Sequence, residues 1–280
     1  MDGPMKELEG RVAVVTGGGG GFGREIAILC AKERMRVVLA DLDLVAMAGT
    51  TELLGDNVES LSYRCDVSSA DSVENLANAT YERFGACHLL FNNAGVGAAG
   101  PLWTATLDDW AWTLGVNLMG VVHGIRSFTP RMIEKGEPGH IINTASAAGL
   151  VSAPGSSVYC ASKHAVVTIS ECLYHELRAE GAPISVSLLC PGYVDTGISD
   201  AERNRPAGLS EKNPLAEKYA ARLRQVIKSG RLSATDIAAA VMTAVKEDRF
   251  YIVPHERIKR AVEMRMRDIL EDRQPTNPAG

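Results

Sequence analysis

The chain of 280 residues is 46% apolar and 22% charged, with a formal net charge of -5. That is a globular composition, and it excludes wholesale disorder and a basic footprint for nucleic acid or an anionic membrane. No apolar run approaches the roughly 20 residues a membrane-spanning helix needs, and the opening MDGPMKELEG lacks the apolar stretch of an export signal.

Strand-length apolar runs lie at 11–16, 36–41, 58–65, 88–92, 140–144, 184–190 and 250–253. Between them, helical periodicity runs over 22–34, 44–54, 72–84, 107–135, 157–180 and 234–246. The strands read as near-continuously apolar, which is what a sheet covered on both faces requires. Regular strand–helix alternation implies right-handed crossovers, hence an α/β fold with a doubly wound parallel sheet of about seven strands and helices on both faces. No linker interrupts it, so 1–280 is expected to form a single domain. Residues 10–145 make mainly the nucleotide-binding half and 146–254 the catalytic and substrate-binding half. Residues 198–231 are polar, carry Pro206 and Pro214, and read as an inserted helical flap. From 255 to 280, Ile258, Val262, Met266, Ile269 and Leu270 recur at helical spacing, which predicts a C-terminal helix and tail.

The six cysteines (30, 65, 87, 160, 172 and 190) are dispersed, with no CxxC pair, and the six histidines are scattered. Neither a disulfide framework nor a metal site is expected, and free thiols fit a reducing cytoplasm.

After the first run comes Thr16-Gly17-Gly18-Gly19-Gly20-Gly21-Phe22-Gly23, opening directly into a helix. Glycine lets the backbone turn sharply and approach a pyrophosphate, while the helix amino end offers free N–H donors and partial positive charge. Asp41 ends the second run, 18 residues beyond Gly23, and Leu42 follows it. A carboxylate there accepts hydrogen bonds from ribose hydroxyls and repels a 2′-phosphate. With no Lys or Arg between Gly17 and Gly21, NAD is the expected cofactor.

These residues resemble the short-chain dehydrogenases/reductases, a family of single-domain Rossmann folds. Its TGxxxGxG pattern is met by Thr16, Gly17, Gly21 and Gly23, with Gly19, Gly20 and Phe22 completing the turn. The resemblance implies that Asp66-Val67 contacts adenine. It implies that Asn92 steadies the sheet while Asn93, Ala94 and Gly95 back the cofactor. Within Pro191-Gly192-Tyr193-Val194-Asp195-Thr196, Pro191 and Gly192 would shape the turn while Val194 and Thr196 meet the nicotinamide amide.

Tyr159 and Lys163 form Tyr-x-x-x-Lys on a predicted helix, where four residues bring side chains to one face about 5–6 Å apart at Cβ. An ammonium there favours the phenolate. Lowering a tyrosine from about 10 by 2–3 units takes roughly 3–4 kcal/mol. Ser146 follows the fifth strand and precedes Tyr159 by 13 positions, the family's Ser-x12-Tyr spacing. Strand ends face the ligand crevice of open α/β sheets. Asn117 matches the family's fourth catalytic position, where relatives bind a water linking the lysine to solvent.

The implied chemistry is interconversion of a secondary alcohol and its ketone. Tyr159 is the acid/base, Ser146 orients the oxygen, and Lys163 tunes the phenol and holds the ribose. Ser146, Tyr159 and Tyr193 are the expected substrate contacts. The Val, Leu, Ala, Pro and Tyr content of 149–156, Tyr193 and the flap predicts a bulky or apolar alcohol. An NADP(H)-dependent carbonyl or 3-oxoacyl reductase is the alternative, opposed by Asp41. A non-catalytic NAD-binding protein would be expected to lack one of the four catalytic residues. A sugar-nucleotide epimerase needs a longer C-terminal domain. Relatives commonly form tetramers through their long helices, which here implies a homo-oligomer, tetramer or dimer, with interfaces along 107–135 and 157–180.

Overall fold

A computed structural model of the protein describes residues 5, 7–228 and 230–278. Positions 1–4, 6, 229 and 279–280 lie outside the described residues. With them lie part of the opening read above as carrying no export signal, one position of the flap and the end of the tail.

The first strand shows how both layers arise. In β1 (Val12–Thr16) alternate side chains face opposite ways. Ala13 and Val15 join one apolar cluster with Ile26 and Val241, and Val12 and Val14 join the other with Leu76 and Phe128. Every residue of the strand is buried. The chain continues through α1 (Gly21–Lys32), β2 (Arg36–Asp41), α2 (Leu44–Leu54), β3 (Ser60–Arg64), α3 (Ala70–Phe84) and β4 (Leu89–Asn92). It then forms α4 (Leu107–Leu114), α5 (Gly120–Lys135), β5 (Gly139–Thr144), α6 (Ser157–Ala179) and β6 (Ile184–Leu189). The last elements are α7 (Ala216–Lys228), α8 (Ala234–Glu247), β7 (Tyr251–Ile252) and α9 (Glu256–Leu270).

The seven strands form one sheet in the order β3-β2-β1-β4-β5-β6-β7, and every pairing is parallel. The order reverses between β1 and β4, which opens a crevice at their carboxyl ends. The doubly wound parallel sheet expected from the strand–helix alternation is present.

Several boundaries differ for physical reasons. The third strand is not uniformly apolar: residues 60–64 alternate between part-buried and exposed, because β3 is a sheet edge. Helix α3 starts at Ala70 rather than 72, since Ser69 caps it by accepting the Ser72 N–H. The single helix expected over 107–135 is two, α4 and α5, joined by a wide turn over Gly115–Met119 in which the Gly120 N–H reaches back to the Gly115 carbonyl. The flap is a short tight helix over Ile198–Asn204 followed by α7. Among the described residues no helix is long and apolar enough to cross a membrane. No group of three or more His, Cys, Asp or Glu could hold a metal among them.

Candidate active site

The glycine turn is welded to the neighbouring strand end by one threonine. Thr16 Oγ1 donates to the Phe91 carbonyl (3.1 Å) and accepts from the N–H groups of Asn93 (2.9 Å) and Ala94 (3.1 Å). Asn93 Nδ2 returns a bond to the Thr16 carbonyl at 3.0 Å. Gly17 has φ +67°, and a Cβ there would stand 2.9 Å from Ala94 Cα. A Cβ on Gly23 would stand 2.1 Å from the Gly17 carbonyl oxygen, so α1 seats directly on the turn. No side chain caps α1 at Gly20, and its first turn carries no acid. Its leading N–H groups and dipole therefore suit an anion such as a pyrophosphate.

Asp41 sits at the end of β2 with both oxygens engaged. Oδ2 accepts the Gly19 N–H (2.8 Å) and Oδ1 the Asp43 N–H (3.0 Å). Asp43 caps α2. One cation is closer than the residues of the turn suggest: Arg24, on α1, donates to the Gly19 carbonyl (2.6 Å) and to Thr50 Oγ1 (3.1 Å). Further along, Asp66 Oδ1 accepts from the Ser68 N–H and hydroxyl, and His123 Nδ1 donates to the Val67 carbonyl at 2.9 Å.

At the other end of the crevice, β5 delivers Ser146 and α6 delivers Tyr159 and Lys163. The Ser146 hydroxyl accepts the Ala148 N–H at 3.1 Å and stands beside the Tyr159 phenol, lowering its pKa. Lys163 is buried, 2% exposed. Its ammonium donates to the Thr144 carbonyl (2.8 Å) and lies 5.8 Å from the centre of the Tyr159 ring. From the sequence, Lys163 is expected to make the phenol acidic. In the structure burial dominates and pushes Tyr159 up to about 12, while the Ser146 hydroxyl beside it opposes the shift. Burial likewise pushes Lys163 down to about 8. Desolvation, which disfavours each charged form, is the leading cause of both shifts.

Asn117 lies in the wide turn between α4 and α5 and is fully buried. Its Oδ1 accepts the Val96 N–H (2.8 Å), and its Nδ2 donates to the Val96 carbonyl (2.9 Å) and Ser162 Oγ (3.1 Å). The amide thus ties the segment after Gly95 to α6. Asn92 opens a buried polar chain, donating to Asn143 Oδ1, whose Nδ2 donates to Ser170 Oγ, each at 2.9 Å.

A single cleft runs from Asp41 to Ser146. At the glycine-turn end it is lined by Gly17, Gly19, Gly20, Gly21, Phe22, Asp41, Leu42, Asp66, Val67, Asn93, Ala94 and Gly95. Ser146, Tyr159, Lys163, Pro191, Gly192, Val194 and Thr196 line the rest of it among the residues singled out above. Gly23, Asn117 and Tyr193 are among those that stand apart from the wall. Gly23 packs behind the turn, and Asn117 points into the core. Tyr193 turns its ring to Arg257 of α9, whose guanidinium sits 5.3 Å from the ring centre. None of residues 149–156 lines the cleft.

Val96 and Trp112, which carry no signal in the sequence, extend the wall together with Val116 and with Ile198, Ala201 and Arg203 of the expected flap. Arg205 brings them together. Its Nη2 pairs with Asp109 Oδ1 at 2.7 Å and Glu202 Oε1 at 2.8 Å, and its guanidinium stacks over Trp112, 4.4 Å from the ring centre.

A family model described as short chain dehydrogenase matches residues 11–207. The chain belongs to the short-chain dehydrogenases. As an oxidoreductase of that family it is similar to a solved short chain dehydrogenase/reductase from Burkholderia phymatum, crystallised in complex with NAD. The two are 48% identical over 98% of this chain and 99% of that one, with a TM-score of 0.95. It is 34% identical over 278 residues to the CLA biosynthesis dehydrogenase/reductase of Lactiplantibacillus plantarum, covering 97% of each chain. It is also 34% identical over 248 residues to the 1-deoxy-11-beta-hydroxypentalenate dehydrogenase of Streptomyces avermitilis, covering 88% of this chain and 84% of that one. The match to the short-chain dehydrogenase family model ends inside the flap, so α7, α8, β7 and α9 lie beyond it.

Proposed function

We propose that the protein is an NAD(H)-dependent dehydrogenase that interconverts a secondary alcohol and its ketone. The observation that carries this reading is the shared cleft, with Ser146, Tyr159 and Lys163 at one end and the glycine turn with Asp41 at the other. The uncapped start of α1 fits a pyrophosphate, and the Asp41 carboxylate beside the turn favours a free ribose over a 2′-phosphate. The B. phymatum relative, crystallised in complex with NAD, supports the same cofactor here.

NAD+ when bound supplies the hydride acceptor and a positive ring charge. Ser146 donates its hydroxyl hydrogen bond to the alcohol oxygen and holds it beside the phenol. Tyr159 takes the hydroxyl proton in oxidation and returns it in reduction. Lys163, anchored on the Thr144 carbonyl, favours the phenolate once desolvation of the pair is offset by further positive charge nearby. Asn117 keeps the Val96 backbone and α6 in fixed relation behind these groups. Apolar walls from Val96, Trp112, Val116, Ile198 and Ala201 suit a bulky, apolar alcohol. The 107–135 and 157–180 segments would carry the contacts of a dimer or tetramer.

A panel of secondary alcohols with NAD+, read by absorbance of the reduced coenzyme, tests this directly. Oxidative turnover should climb with pH, because the base is the deprotonated phenol. Tyr159→Phe should retain cofactor binding and lose about 10²–10⁴-fold in turnover. Undiminished turnover in that variant, or faster turnover with NADP+ than with NAD+, would overturn the reading.

A further inference from the structure

The peptide joining Pro191 to Gly192 lines the cleft and is held at both of its polar ends. Its carbonyl accepts the Ala147 N–H at 2.8 Å, one residue beyond Ser146. Its N–H donates to His255 Nδ1 at 3.1 Å. A peptide is planar, so bonds at both ends fix its rotation as well as its position. The second bond comes from far along the chain, since His255 immediately precedes α9 and lies 63 residues from Gly192. The imidazole also packs flat on the turn: a Cβ on Gly192 would stand 3.2 Å from its Cγ. One residue on, Arg257 covers the Tyr193 ring.

We infer that His255 is a positioning residue for the cofactor cleft, setting the plane of the Pro191–Gly192 peptide through an acceptor at Nδ1. An N–H donor facing Nδ1 requires the lone pair there, so the ring is neutral and carries its proton on Nε2. Burial, with the Arg257 charge two residues on, lowers the His255 pKa and favours that form. Nε2 is itself buried and finds no partner among the described residues. In consequence α9, remote in sequence from every catalytic residue, is wired to the main chain next to Ser146 through a single peptide.

This rests on reading the cleft as a dinucleotide site. The test uses the full chain and two amides of opposite reach. Asn places its oxygen near the Nδ1 position, whereas Gln places it near Nε2. His255→Asn should bind NAD+ and turn over as wild type does. His255→Gln and His255→Leu should both weaken NAD+ affinity about tenfold, the worth of one hydrogen bond, and lower kcat with it. Folding of each variant is checked by its thermal midpoint, and the Asn/Gln contrast survives even where Leu fails to fold. Equal behaviour of Asn and Gln would overturn the inference. Wild-type affinity in Gln or Leu would do the same. Failure of wild type itself to bind NAD+ would instead fell the dinucleotide reading.

Discussion

Between β1 and α1 the chain is shaped by the absence of side chains, whereas the flap from Ile198 onward is held by side chains reaching across from α4. At the turn, Gly17 and Gly23 bring backbone against backbone at distances no Cβ survives. At the flap, the guanidinium of Arg205 spans to Asp109 and Trp112, nearly a hundred residues earlier. The two ends of the cleft therefore have different freedom to vary. A site made of main chain recognises groups every cofactor of its class shares, and almost any substitution damages it. A lid made of side chains can be re-cut for a new substrate while the cofactor end stays as it is.

The sharpest way to break this contrast is at Gly23. Its Cβ position lies 2.1 Å from the Gly17 oxygen and 2.8 Å from the Gly17 carbon, both main-chain atoms that cannot swing aside. Gly23→Ala should cost about 3 kcal/mol of unfolding free energy, the upper range for forced overpacking, and abolish measurable NAD+ binding. Denaturant melts and a cofactor titration read both. Wild-type values in each would mean the turn yields, and the claim of a rigid main-chain site would fail.

A smaller effect is expected at the flap. Arg205 and Asp109 side chains are only 5% and 6% exposed, so removing one partner leaves a buried charge behind. Asp109 also accepts the Thr106 N–H in the capping box of α4, and Glu202 is half-exposed, which softens the loss. Arg205→Met should cost about 2 kcal/mol, and adding Asp109→Leu should recover part of that. The KM for the alcohol should rise about tenfold, as a loosened wall predicts, with NAD+ affinity little changed. An equal loss of NAD+ affinity would make the flap part of the cofactor site and erase the distinction between the two ends.

What could be read from the chain alone follows the same divide. Tyr159 and Lys163 share a helix face because four residues make about one turn, and Ser146 lies where a parallel strand ends; both are local facts. The glycine turn is equally local. Trp112 is invisible by comparison, since only the folded chain packs it against Val96 and against Ala201 of the flap. The wide turn at Gly115–Met119 leaves no mark in the residues beyond two bracketing glycines, so α4 and α5 read as one helix. Tyr193 follows Pro-Gly and reads as a substrate contact, yet its ring packs beside Arg257 from the far end of the chain. Burial of the Tyr159 phenol, which raises its pKa, could not be read from spacing either.

Asp41 offers the finest test, because it belongs to both plans: a side chain that completes a main-chain site. One oxygen holds the Gly19 N–H and the other the Asp43 N–H, so the carboxylate shapes the turn before any ribose arrives. Asp41→Ala removes the charge and both bonds together. NAD+ affinity should fall about tenfold, the worth of roughly one charge-assisted hydrogen bond. NADP+ affinity should rise in the same variant, because a 2′-phosphate no longer meets a carboxylate and Arg24 stands one residue past the turn. The ratio of the two affinities separates the roles. A fall for both cofactors alike would make Asp41 a brace for Gly19 and nothing more. A fall for NAD+ with a gain for NADP+ means that its charge selects the ribose, even though its geometry belongs to the turn.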